Sequence, residues 1–292
     1  MSRNRQRVQI PQQDTNTTQQ PPQLVPQQET NPFGLSFVVP TEIVKLPSCG
    51  KLYDEGSPLH GLEEVEVKSM TAAEEDIMIN DSFIQQGIVF DRLIDSIMIT
   101  PGVRAQDLMD CDKIAVLMSA RKTGYGDIIE LNTTCGNCGH QYDMHASLSI
   151  MLESISKTTY QPSSGDEWQY LEDSNTFSFS LPTTGLDVNI RLLGPSDIDS
   201  LEVSKNQKEK LNLPFNETIE FIRAVLVSAQ GVTDRTSLNK LAEILPAADA
   251  RMIRKVHNTN LPKISTTQKT TCLNCSHEEE KEVPFSLGWF WS

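Results

Sequence analysis

The sequence predicts an α+β protein of two tandem units, each running from strands through helices to a cysteine knuckle. The two knuckles share one zinc-ribbon-like site, and a disordered arm precedes both units. Three observations predict this. The frame T-C-x-N-C-x-H occurs twice, at residues 134–140 and 271–277. Matching landmarks keep a nearly constant offset: Leu181 follows Leu46 by 135 positions (181 − 46), and Cys272 follows Cys135 by 137 (272 − 135). Between those landmarks, period-2 and period-3.6 apolar patterns follow one another in the same order in both halves.

Taken in order, residues 1–32 are dominated by Gln, Pro, Thr and Asn and lack the apolar surface that would offset the entropy of ordering. They are expected to be a disordered arm. The first unit is expected over 33–150. Residues 37–40 and 43–47 read as short extended pieces punctuated by proline. Residues 48–53 form a turn, with Gly50 free to take positive φ. The alternation in Glu64-Val65-Glu66-Val67-Lys68 predicts a half-buried strand. Thr71 and Glu74 have the capping-box spacing, so a helix follows to about Asn80. Phe90, Leu93, Ile94, Ile97 and Met98 draw the apolar stripe of a second helix, broken at Pro101-Gly102. A third carries Ile114, Leu117 and Met118 and ends at Gly124 or Gly126. Residues 129–133 and 142–148 alternate into and out of the first knuckle, which predicts a β-hairpin with the knuckle at its tip.

Residues 151–178 are polar and read as a linker. The second unit, 179–292, repeats the pattern. Leu181-Pro182-Thr183-Thr184-Gly185 echoes Leu46-Pro47-Ser48-Cys49-Gly50, and Val188–Arg191 echoes Val65–Lys68. Gly194-Pro195 starts a helix where proline's missing N–H does no harm. Helices follow that carry Ile219, Ile222, Val225 and Leu226, then Leu238, Leu241, Ile244 and Leu245, then Met252, Ile253 and Val256. The second knuckle closes the order.

In each knuckle two cysteines converge on one point while backbone amides face the sulfurs. Cys135, Cys138, Cys272 and Cys275 together supply the four ligands of a structural Zn2+ site. Two redox or idle Cys-x-x-Cys pairs, or a disulfide framework, are the other readings. A redox pair opens a helix after a strand, whereas these pairs lie between strand-like segments. His140 and His277, two residues after each second cysteine, could swap in as ligands or hydrogen-bond the site, with a surface position the preferred reading, and Cys49 and Cys111 read as small buried residues.

The chain has 292 residues, six of them cysteine, and a net charge of −14. No apolar run is long enough to span a bilayer and no secretion signal opens the chain, so reduced thiols in a cytoplasm are expected. The acidic balance argues against a general affinity for nucleic acid. The acidic runs 74–76 and 278–280, and the basic group Arg251, Arg254, Lys255 and His257, read as solvated faces. Frames for a nucleophile elbow, a P-loop, a zinc protease and a dinucleotide site are all missing, so no enzyme and no small-molecule ligand are expected. Phe285, Trp289, Phe290 and Trp291 form an aromatic tail, read either as a partner-binding patch or as a segment folded onto its own core.

Residues 46–53 and 65–76, then Gly124-Tyr125-Gly126, residues 231–235 and 248–251, the second knuckle and Phe290-Trp291 are similar, in that order, to the baseplate hub proteins of T-even-type contractile-tailed phages. The resemblance runs from about Phe33 to the end. It implies a hub subunit or a hub assembly factor with other baseplate hub and tail proteins as partners, present in the host cytoplasm during assembly and in the virion tail baseplate. The Gln/Pro arm and residues 166–175 lie outside the shared pattern. A zinc-ribbon nucleic-acid-binding factor and a thiol redox protein are the alternatives.

Overall fold

The computed structural model describes residues 39–157, 160–284 and 287–291, so the expected arm and residues 33–38 lie outside it. Pro40–Ser292 form one unit; of the other, Met1–Val39, only Val39 is described.

Strand β1 (Thr41–Lys45) pairs antiparallel with β2 (Glu64–Lys68), Val44 opposite Val65. The turn after β1 puts Cys49 and Gly50 at φ 50 and 69. A Cβ on Gly50 would lie 2.4 Å from the Leu62 amide nitrogen, so this turn closes only on glycine. Helix α1 (Ala72–Met78) has the expected cap. Glu74 accepts the Thr71 N–H at 2.8 Å and the Thr71 hydroxyl at 2.6 Å. That hydroxyl in turn accepts from the Ala73 N–H at 3.3 Å.

Glu74 is not part of a solvated face, contrary to expectation. It is fully buried, bonded to the Ser96 hydroxyl at 2.6 Å and paired with Lys68 at 2.9 Å. Burial by itself would raise its carboxyl, but the Ser96, Thr71 and Lys68 bonds outweigh this and hold it down at about 2. The folded value lies below the unfolded one, so the stability Glu74 contributes is present above pH 4.5 and is lost as pH falls towards 2. Urea titrations across that window should show a loss on the order of 3 kcal/mol that Glu74→Gln removes. The same slope in the variant would refute the assignment.

Helix α2 (Asp81–Gln85), not expected from the sequence, starts because the Asn80 side chain accepts the Ser82 and Phe83 amides. In α3 (Val89–Ile97) the predicted stripe is buried at Leu93, Ile94 and Ile97. Helix α4 (Asp110–Tyr125) ends at Gly126, φ 93. Strands β3 (Ile128–Thr134) and β4 (Gln141–Ser147) form the predicted hairpin, and Leu148 opens α5 (Leu148–Lys157) rather than extending the strand.

The stretch read as a linker, 151–178, holds most of α5, then β5 (Gln169–Leu171) and the start of β6 (Thr176–Ser180). With β7 (Asp187–Ile190) and β8 (Leu226–Ala229), these strands make an antiparallel sheet in the order β5-β6-β7-β8. Between β7 and β8 come α6 (Pro195–Lys210), with proline at its first turn, and α7 (Glu217–Val225). Leu226 leaves the helix to begin β8, a correction to the expected helix boundary. Helices α8 (Arg235–Ile244) and α9 (Ala247–Asn260) follow, then β9 (Thr267–Thr271) and β10 (Glu278–Glu282).

Three apolar clusters result. One belongs to the first half, around Leu46, Leu59, Leu93 and Ile97. One belongs to the second, around Phe177, Ile190, Ile222 and Ile253. The third joins both hairpins to α4 and α5 and includes Met118, Ile129, Met144, Met151, Cys135, Cys272 and Val283. Leu52 packs against the first two clusters and Ile264 against the first and third. Gly194 lets the halves close, since a Cβ there would lie 2.7 Å from the Leu52 carbonyl oxygen. The Ser196 hydroxyl donates to Asp54 nearby at 2.6 Å.

A buried aspartate anchors each half. Asp112, third residue of α4, accepts the Ser48 N–H at 3.0 Å, the Ser48 hydroxyl at 2.6 Å and the Tyr53 hydroxyl. Asp249, third residue of α9, accepts the Thr183 and Thr184 amides at 2.7 and 3.1 Å. In both, a helix start holds the turn that follows a strand. Of the basic group read as a solvated face, Arg254 donates to Thr218 at 3.0 Å and Lys255 pairs with Glu167. His257 is instead buried, its Nε2 accepting the Leu193 N–H at 3.2 Å, and burial pushes its pKa down. In the tail, Phe290 is buried 6.1 Å from the Phe90 ring. Trp291 is half exposed and meets Tyr125 edge-on at 5.7 Å. Phe285 and the Trp289 side chain lie outside the described residues.

Candidate metal centre

Each hairpin tip is a tight loop closed by its own backbone. In the first, the Cys135 N–H donates to the His140 carbonyl at 2.9 Å and the Gly139 N–H to the Cys135 carbonyl at 3.0 Å. In the second, Cys272 donates to His277 at 2.9 Å and Ser276 to Cys272 at 2.9 Å. The residue that turns the chain is left-handed in both: Gly139 at φ 71 and Ser276 at φ 56.

The two tips meet, and the sulfurs of Cys135, Cys138, Cys272 and Cys275 lie within 4.8 Å of one another. The contacts between tips are reciprocal. Cys135 Sγ is 3.7 Å from Cys275 Sγ, and Cys138 Sγ is 3.7 Å from Cys272 Sγ. The Asn137 side-chain amide donates to Cys275 Sγ at 3.7 Å, and that of Asn274 to Cys138 Sγ at 3.7 Å. Glu279 of β10 accepts the Gly136 amide of the first knuckle at 3.3 Å, and Lys281 donates to the Thr134 carbonyl at 2.9 Å.

These distances select among the chemical readings. A disulfide would need sulfurs about 2.05 Å apart. Four sulfurs around one ion at about 2.3 Å stand about 3.8 Å from one another, which the observed spacing matches. The donor set also fits a cation. The Cys138 thiol is pulled down to about 6, first by the His140 amide and then by Cys275 and Asn274. At Cys275 the His277 amide pulls down, but the bond to Cys138 and desolvation carry the thiol up to about 11. Thiolates 3.7 Å apart repel one another, and a cation among them would offset that repulsion.

The sequence thus named the four cysteines that the fold brings together. The side chains of His140 and His277 are exposed. Cys49 and Cys111 are half-buried beside the Asp112 anchor, with Cys111 Sγ 3.7 Å from Asp112. Asn137, Asn274 and the two anchoring aspartates were missed. Their signal was present as the 137-position offset that the asparagines, the aspartates and the cysteines all share (274 − 137, 249 − 112, 272 − 135).

A family model described as T4 bacteriophage base plate protein matches residues 39–290. No curated protein and no solved structure matches the chain.

Proposed function

The chain belongs to the family of T4 bacteriophage base plate proteins, and on that premise we propose that it is a subunit or an assembly factor of the baseplate hub, acting by protein–protein contacts on a body pinned by one structural zinc ion. The observation that carries the zinc is the near-tetrahedral grouping of four sulfurs drawn from hairpins more than 130 residues apart in sequence. Cys135, Cys138, Cys272 and Cys275 hold the ion. Four sulfur ligands leave no open position for water or substrate, so its chemistry is to cross-link, and the protein turns over no substrate.

Internal duplication belongs to the same reading. It is supported by the shared 137-position offset, by the two aspartate anchors and by the reciprocal contacts at the knuckles. The chain then divides into an arm, two homologous units and a zinc module to which each unit lends a hairpin.

The functional test is a tagged copy recovered from infected cells, with associated tail proteins identified and zinc measured on the same sample. The reading expects hub and tail proteins together with stoichiometric zinc. Recovery of the protein alone, or normal tail assembly after deletion of its gene, would overturn it. A second test uses the asparagines. Asn137→Ala and Asn274→Ala should each weaken zinc binding by about tenfold, read by competition with a chromophoric chelator. Because their contacts are mirrored, the two losses should be equal; unchanged affinity in both variants would refute the role given to these amides.

A further inference from the structure

Strand β4 has a free edge, and a cleft runs along it. In the β3–β4 ladder the bonds from Leu148 N–H to Asp127 and from Cys135 N–H to His140 fix which residues face each other through hydrogen bonds. By that alternation the backbone groups of Ala146, Met144 and Tyr142 point to β3, and those of Ser147, His145 and Asp143 point away from it. At one end the outward position is already filled. The Gln268 carboxamide accepts the Ser147 N–H at 2.9 Å and donates to the Ser147 carbonyl at 2.6 Å. A side-chain amide therefore occupies the place that the peptide group of a neighbouring strand would take. Beyond it, along His145 and Asp143, the cleft of about 740 Å³ stays open, walled on the far side by β9 and β10. Among the described residues no group bonds to the outward N–H or C=O of His145 or Asp143.

The walls are predominantly acidic. Asp143, Glu278, Glu279 and Glu280 line the cleft, against Lys269 as its one lysine, and Glu278 and Glu280 are exposed. An open strand edge is a template for another chain, and the acidic walls select which chain.

We propose that the cleft between the two knuckle hairpins is a docking site for an extended, basic segment of a partner protein, which adds to the outer edge of β4 as a third strand, continuing the position held by Gln268. Backbone bonds to Asp143 and His145 supply the pairing, and lysine or arginine side chains at alternate positions meet Glu278 and Glu280. The inference rests on the reading that the protein works by protein contacts, and it names the contact surface.

The test uses the full chain, purified as it folds, and a short synthetic peptide of alternating lysine and valine. Amide hydrogen exchange should slow at His145 and Asp143 on addition of the peptide and remain unchanged along β1. The peptide N-methylated on its pairing edge should bind at least about tenfold more weakly, and so should the peptide with glutamate for lysine. Glu278→Lys with Glu280→Lys should lower affinity for the lysine peptide and raise it for the glutamate peptide. This exchange also separates lost recognition from lost folding. Equal binding of the N-methylated or acidic peptide, or protection confined to other strands, would overturn the proposal. Because this measurement needs no phage, its failure would leave the hub reading standing if tail proteins still co-purify. Success with the peptide in a protein that recovers no tail partner would strike only the hub reading.

Discussion

Cys272→Ser is expected to remove the ion and to lower stability on the order of 5 kcal/mol. Cys272 is buried in the third apolar cluster, and that cluster exists because two hairpins with 133 residues between Cys138 and Cys272 (272 − 138 − 1) are held together. A cross-link that closes a loop of this length stabilises by about 5 kcal/mol through the entropy it removes from the unfolded chain. Metal binding and folding of the module are coupled in the same way. Loss of the ion should leave the first and second clusters in place, since each is made largely within its own half. The denaturation curve should therefore split, with an early transition reporting Tyr142 and the hairpins. Cys138→Ser, at the exposed ligand, should cost less because no buried position is vacated. Unchanged denaturation midpoints with and without chelator would contradict this.

Asp112→Ala is expected to cost about 3–5 kcal/mol, although Asp112 has no part in the metal centre. Its removal strands the Ser48 amide, the Ser48 hydroxyl and the Tyr53 hydroxyl in a buried site, and each orphaned group costs about 1–3 kcal/mol. Burial pushes the Asp112 carboxyl up, against the pull of Ser48 and Tyr53, so the carboxylate depends on all of its donors. Asp112→Asn keeps one acceptor and should lose about half as much. Asp249→Ala in the other half should be comparably damaging, because Thr183 and Thr184 lose their acceptor. The two aspartates anchor turns that pack in separate clusters, so the double variant should be additive to within about 0.5 kcal/mol. Urea denaturation measures all four, and a loss below about 1 kcal/mol for Asp112→Ala would refute the anchoring role.

The parts legible in the sequence are those whose cause is local. The knuckles were readable because ligand spacing and loop closure lie within seven residues. The same holds for α3, whose stripe at Leu93, Ile94 and Ile97 faces its core, and for the α1 cap at Thr71 and Glu74. What escaped depends on distant partners. Glu74 looked like one member of an acidic run, and only Ser96 and Lys68 make its burial tolerable. Strand β8 follows α7 without a break, and a short apolar run such as Leu226-Val227 has no periodicity to separate it from a helix. Strand β5 has three residues in a polar stretch, and its pairing with β6 is what orders it. His257 reads as a basic helix residue, yet the Leu193 amide and the Phe221 ring, 5.0 Å away, receive it inside the fold.

The central claim is that a single ion, held by cysteines from both halves, joins two hairpins into one module. Native mass spectrometry of the protein purified without added metal tests it most directly. The account predicts one zinc per chain, none after Cys272→Ser, and none after Cys135→Ser, because either change leaves three sulfurs, with one knuckle reduced to a single ligand. A metal-free folded chain, or a chain that keeps its zinc when either knuckle is broken, would contradict it.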